Sequence, residues 1–155
     1  MNHEYFMDMA LKASEDAYRL GNWPVGAVIV RDGAVVGAGQ NEMNTRKDIT
    51  WHAENAAIRD AQSRLGTTDL SGTVLYATME PCPMCAWSIR IAGIRSMVLA
   101  LRHATLRRTD MGTYSLESFG RMVGWEFELV SGVREAEYLA LRKKWGRDQV
   151  RADAT

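Results

Sequence analysis

Both cysteines of this chain fall in one seven-residue stretch, MEPCPMC (79–85), as Cys82 and Cys85, each with a proline before it. Thirty residues ahead of Cys82, the tripeptide HAE (52–54) sets His52 two positions before Glu54. Each motif opens a stretch of helical periodicity. HAENAAIRDAQSRL (52–65) stops at Gly66, and PMCAWSIRIAG (83–93) starts on a proline and closes on Gly93. A fold that uses the two motifs together must bring two helix N-termini face to face. That is possible when the strands leading to them lie in one sheet.

The rest of the chain supplies such a sheet. Residues 3–20 predict an amphipathic helix, with Phe6, Met9, Ala10, Ala13, Ala17 and Leu20 at helical spacing and Gly21 as a stop. VGAVIVRDGAVVGAGQN (25–41) reads as two strands joined at RDG, a hairpin turn signal. TVLYAT (73–78) and SMVLAL (96–101) are short apolar strands, and residues 102–114 read as a polar loop. SLESFGRMVG predicts a short helix, WEFELV a fifth strand, and residues 133–147 a last helix. The order is α-β-β-α-β-α-β-α-β-α. It predicts one three-layer α/β domain over residues 1–155, a mixed five-stranded sheet flanked by helices. A hydrophobic share of 46% is enough to build its core.

Charge and cysteine usage narrow the function. The formal net charge is zero, which counts against a dedicated binder of nucleic acid, since phosphate neutralisation supplies most of such affinity. The N-terminus carries acids throughout and lacks the apolar run of a signal peptide, and no segment approaches a membrane span. The expected compartment is the cytoplasm, where thiols stay reduced and Cys-x-x-Cys binds metal or does redox chemistry more often than it forms a structural disulfide.

Two thiolates and an imidazole are zinc ligands. Cys82 and Cys85, one helical turn apart, can point at a single ion, and a helix N-terminus favours the thiolate form. With His52 they make three ligands, which leaves a fourth tetrahedral position for water, the mark of a catalytic rather than a structural site. Glu54 is then placed to take a proton from that water. Other readings stand beside this one. A redox pair has no use for a distant His-x-Glu. A structural zinc knuckle wants a fourth ligand, yet there is no third cysteine, and His3 and His103 have no motif context. A non-enzymatic zinc protein would not need Glu54.

At these residues the chain resembles the cytidine deaminase superfamily, in the branch of guanine deaminases, yeast-type cytosine deaminases and tRNA adenosine deaminases. WPVGAVIV (23–30), GQN (39–41), HAE and MEPCPMC match in order and spacing, over roughly residues 5–130; the H-x-E and P-C-x-x-C signature is that of zinc deaminases. The resemblance implies the three-layer αβα fold of that superfamily and a zinc cofactor on His52, Cys82 and Cys85. It makes Glu54 the proton shuttle and Asn41 a side chain that hydrogen-bonds the substrate base. Backbone N–H groups near Ala53 and Cys82 would help to orient base and water. The implied reaction is hydrolytic deamination, and a homodimer is expected.

The substrate stays open between two classes. The first is a free nucleobase or related amino-heterocycle, such as guanine, cytosine or an aminotriazine; EPCPMC favours the guanine deaminase side. The second is adenosine in tRNA, for which two basic stretches speak: Arg102, Arg107 and Arg108, and Arg142, Lys143, Lys144 and Arg147 of the last helix, off its apolar stripe of Tyr138, Leu141 and Trp145. In tRNA-editing relatives that helix helps to grip RNA, but their double-aromatic, arginine-rich ending is missing here. Trp87 and Trp51 stand where relatives carry smaller residues, and either walls the substrate pocket or packs in the core. In guanine deaminases a carboxylate from about the 102–115 loop contacts the base, and Asp110 is the candidate.

Overall fold

The computed structural model describes residues 2–108 and 110–148. Met1, Thr109 and residues 149–155, which belong to the expected domain, lie outside the described residues. Helix α1 (His3–Arg19) begins where the Asn2 side chain accepts a hydrogen bond from the Tyr5 N–H (3.1 Å). Strands β1 (Gly26–Arg31) and β2 (Ala34–Gln40) form the expected antiparallel hairpin. Its two turn residues, Asp32 and Gly33, both take positive φ (51° and 77°), as a two-residue turn matched to strand twist requires.

A short helix α2 (Met43–Arg46) precedes α3 (Ala53–Leu65), which ends on Gly66 in the left-handed region. Strand β3 (Val74–Met79) leads into α4 (Pro83–Ile91), and β4 (Ser96–Leu101) follows. The segment after β4 differs from the expected loop, because one helical turn, α5 (His103–Leu106), forms at its start. Helix α6 (Leu116–Val123) opens on a capping box between Ser115 and Ser118. Strand β5 (Glu128–Val130) is only the second half of WEFELV. Trp125, in the first half, is buried among aromatic neighbours instead of pairing in the sheet. The chain closes with α7 (Glu135–Trp145).

The sheet order is β2-β1-β3-β4-β5. β1 runs antiparallel to β2 and β3, while β3, β4 and β5 are parallel. Helices α1 and α7 pack on one face and α3 and α4 on the other, giving the expected three layers. The topology gathers four chain segments at one end of the sheet: the start of β1 and the ends of β2, β3 and β4. Asn41, the MEPC segment and the 102–115 loop all emerge there.

Close approach of β2 to α3 depends on Gly37 and Gly39. A Cβ on Gly39 would lie 2.4 Å from both the Ala53 carbonyl oxygen and the Ala57 nitrogen. These are backbone atoms that cannot swing aside. We expect Gly39→Ala to lose about 3 kcal/mol of stability in urea unfolding and to weaken metal binding, because the displaced helix carries His52 and Glu54.

Candidate metal centre and its cavity

His52 and Cys82 are the N-cap residues of α3 and α4, both with extended backbone (φ −79°, ψ 155° and φ −71°, ψ 171°). Neither side chain caps its own helix. They turn toward each other across the gap between the helix ends. Cys82 Sγ lies 3.5 Å from His52 Nδ1, and Cys85 Sγ lies 3.6 Å from the same nitrogen. The three donor atoms all fall within 4.8 Å of one another. Pro83 in the first turn of α4 costs no hydrogen bond there.

The electrostatics follow from two thiols and an imidazole in a partly buried space. A hydrogen bond from Cys85 and the nearby His52 bring the Cys82 thiol down to about 4, against the opposing effect of burial. Cys85 shares that proton, and its tie to Cys82, with burial, pushes its own thiol up. Without a cation the pair keeps one proton; a metal would displace it and hold both as thiolates. Glu54, in the first turn of α3, is 3% exposed. Burial, reinforced by charge on Cys82, lifts its carboxyl above the usual carboxylate range. A carboxyl so raised is suited to accepting and returning a proton near neutral pH.

These groups open on a cavity of about 350 Å³. Asn41 lines it, buried to 3% exposure. Its backbone N–H donates to the Val25 carbonyl (3.0 Å) and its Oδ1 accepts from the Met43 N–H (3.1 Å). The side chain is thereby fixed in one orientation, with the amide NH₂ left to offer. Asp110 also reaches this cavity, held by Arg108 (Nε to Oδ1, 2.9 Å), which keeps its carboxyl below the usual range. Ala53 is fully buried at the start of α3, so only its backbone is available to a ligand.

Trp87 does not wall the cavity. It is 46% exposed on the outer side of α4, edge-on to Phe119 at 6.4 Å. Two residues past Cys85 is about 200° around a helix, so the turn that aims Cys85 inward aims Trp87 out. Trp51 is likewise displaced, with the Arg46 and Arg59 guanidiniums at 3.8 and 4.3 Å from its ring. The aromatic at the cavity is Trp23, from the residues before β1, packed on Trp145 at 4.9 Å. Arg142 departs from its expected place as well. It is 2% exposed, lines the cavity, and pairs with Asp148 while donating to the Tyr138 hydroxyl.

Glu80, inside the MEPC motif, anchors the loop that covers this end of the sheet. Its side chain is 2% exposed. Oε1 accepts from Arg102 Nε (2.7 Å) and the His103 N–H (3.1 Å), and Oε2 accepts from the Leu116 N–H (3.0 Å). Tyr114 adds a bond from its hydroxyl to the Pro81 carbonyl (2.6 Å). Both ends of the 102–115 loop are thus tied to the segment that carries the cysteines.

Residues 1–101 match the family model described as the cytidine and deoxycytidylate deaminase zinc-binding region. The chain belongs to this family. His52, Glu54, Cys82 and Cys85 all fall inside the matched residues, and the clustered donors fit the zinc that the family's description names. Among curated deaminases, a tRNA-specific adenosine deaminase of Aquifex aeolicus is 39% identical over 100 residues, 64% of this chain and 66% of that protein. A guanine deaminase of Bacillus subtilis is 42% identical over 104 residues, 66% of this chain and 67% of that one. The chain therefore spans about two thirds of the length of these relatives. A solved structure from work on A-to-I editing by tRNA:A34 deaminases has a TM-score of 0.76 and 34% identity, covering 88% of this chain and 98% of its own. The deaminase fold is shared with enzymes of both substrate classes. No helix among the described residues is long and apolar enough to cross a membrane.

Proposed function

We propose that this protein is a zinc-dependent hydrolytic deaminase of a free nucleobase or a related amino-heterocycle, working in the cytoplasm as a homodimer. His52, Cys82 and Cys85 would hold the zinc. When bound there, zinc would bring the pKa of a water down to near neutrality. The chain's own groups do the rest. The Asn41 amide orients the ring by hydrogen bonding, and the N–H groups at Ala53 and Cys82 help to fix base and water. Glu54 accepts a proton from water and delivers it to the leaving amine. The balance is water plus amine in, carbonyl plus ammonia out.

The observation that carries the free-base reading is how the arginines near the cavity are engaged. Arg102 gives its guanidinium to Glu80 and Glu117, Arg108 to Asp110, and Arg142 to Asp148. Cations already neutralised add little to phosphate binding. The cavity, at about 350 Å³, is near the lower end of the roughly 300–1,000 Å³ usual for small-molecule sites. The tRNA reading has its own support in relatives named as tRNA adenosine deaminases and in the exposed Lys143, Lys144 and Arg147.

One comparison tests this. Ammonia release is measured with the zinc-loaded protein on guanine, cytosine, isocytosine, adenine and aminotriazines, beside inosine formation in a tRNA anticodon hairpin. Turnover of a free base with no inosine supports the proposal. Inosine formation with silence on every base overturns it in favour of tRNA.

A further inference from the structure

We infer that His103 determines substrate specificity in this cavity, its imidazole hydrogen-bonding the neutral edge of the bound heterocycle. This rests on the deaminase reading above and adds to it a substrate contact that the sequence motifs do not contain. His103 is 7% exposed, yet among the described residues neither Nδ1 nor Nε2 has a hydrogen-bond partner. The Pro81 carbonyl biases the ring toward protonation without completing a bond of ordinary geometry. Buried polar atoms are paired in the great majority of cases, and an unpaired one calls for an explanation such as a missing ligand.

The position of the ring supplies that explanation. His103 lines the cavity that holds Asn41, Glu54 and Cys82, and it also borders a second, more open cavity of about 450 Å³ under the 102–115 loop. Its placement uses neither ring nitrogen. The backbone N–H donates to Glu80, and the ring leans on Tyr114 with centroids 5.9 Å apart. Tyr114 is itself held by the Pro81 carbonyl. The imidazole is thus pre-positioned with both nitrogens free, and it stands outside the cluster of metal donors.

The chemistry of the ring selects the partner. Burial, aided by Arg108, lowers its pKa against the pull of Glu80. A neutral imidazole offers one donor and one acceptor. The two nitrogens point in divergent directions, so one of them meets the base, as donor to a carbonyl or ring nitrogen or as acceptor from a ring N–H. A phosphate would instead call for a cation.

The chain has three histidines, so a protein with isotope-labelled histidine shows only three imidazoles by NMR. The zinc-loaded Glu54→Ala variant is titrated with 2,6-diaminopurine, guanine and, separately, inorganic phosphate. The expected result is movement of the His103 ring nitrogens with a base and not with phosphate, while His3 stays still. In the otherwise intact enzyme, His103→Ala should raise KM for the preferred base about tenfold and change kcat less than threefold. His103→Gln, which keeps a donor and an acceptor, should recover most of the loss. A purely structural role would lower the melting temperature and kcat instead, with no rescue by glutamine. Still His103 resonances with every base, a response to phosphate alone, or an unchanged KM would each overturn the inference. Ammonia release by the wild-type protein reports on the deaminase reading separately. If no base is turned over, that reading fails, while base-induced movement at His103 still supports the contact.

Discussion

Replacing Glu54 with alanine is expected to lower turnover by roughly 10²- to 10⁴-fold, the usual contribution of a positioned general acid–base, and to leave zinc content unchanged. The separation of the two effects follows from the fold. Glu54 sits in the first turn of α3, buried and with a raised pKa, but its carboxylate is not among the clustered donors. On the proposed mechanism its removal takes away the proton carrier, while the clustered donors all remain. Loss of a buried, desolvated acid also relieves a cost to folding, so no fall in thermal stability is expected. The check is zinc by elemental analysis, melting temperature, and ammonia release on the best base of the panel. Near-wild-type turnover in this variant would remove Glu54 from the mechanism.

Cys85→Ser should lose the metal along with the turnover. Cys85 is fully buried, and its Sγ lies 3.6 Å from His52 Nδ1, so its loss opens the metal site itself. With free zinc at about a thousand times the dissociation constant, binding stabilises the native protein by about 4 kcal/mol. For a chain of this size that is a rise in Tm of roughly 10 °C. The wild-type protein is expected to show that rise on addition of zinc and to lose it with a chelator. Cys85→Ser is expected to show little response to either, and little turnover. A full zinc-dependent rise in the variant would contradict the assignment of Cys85 as a ligand.

The contrast between the two variants bears on what can be read from a sequence of this kind. His52, Cys82 and Cys85 were legible because each lies at a helix start signalled by its own local pattern, and a short spacing fixes where a first-turn side chain points. The hairpin was legible for a similar reason, since the turn at Asp32 and Gly33 needs only its own residues. Of the residues that reach the cavity through tertiary folding, Asn41 and Asp110 were named through the resemblance alone, and others were not legible. His103 arrives from the end of β4 and Arg142 from α7, and no local pattern ties either to the cysteines; Trp23 lies in the WPVGAVIV stretch, but nothing local says that its ring faces the cavity. Trp87 shows the converse. Its nearness to Cys85 in sequence suggested a pocket wall, and helical rotation carries it to the surface.

Arg142 fails for another reason. A basic residue among lysines near a helix end reads as a solvated face, and only the folded chain shows Asp148 and the Tyr138 hydroxyl waiting for it. Glu80 was hidden inside a motif whose cysteines draw the attention. Its carboxylate binds Arg102 and two backbone N–H groups, a role that depends on where β4 and α6 come to lie. The metal centre is therefore written locally, while the walls that choose a substrate are assembled from distant segments.

The central claim is that His52, Cys82 and Cys85 hold one zinc with a position left open for water. X-ray absorption at the zinc edge of the loaded wild-type protein tests it most directly. The expected spectrum has two sulfur ligands at about 2.3 Å and one imidazole nitrogen at about 2.0–2.1 Å, with one further light ligand from solvent. A shell of protein ligands alone, closed by a fourth side chain, or a shell without two sulfurs would contradict the account.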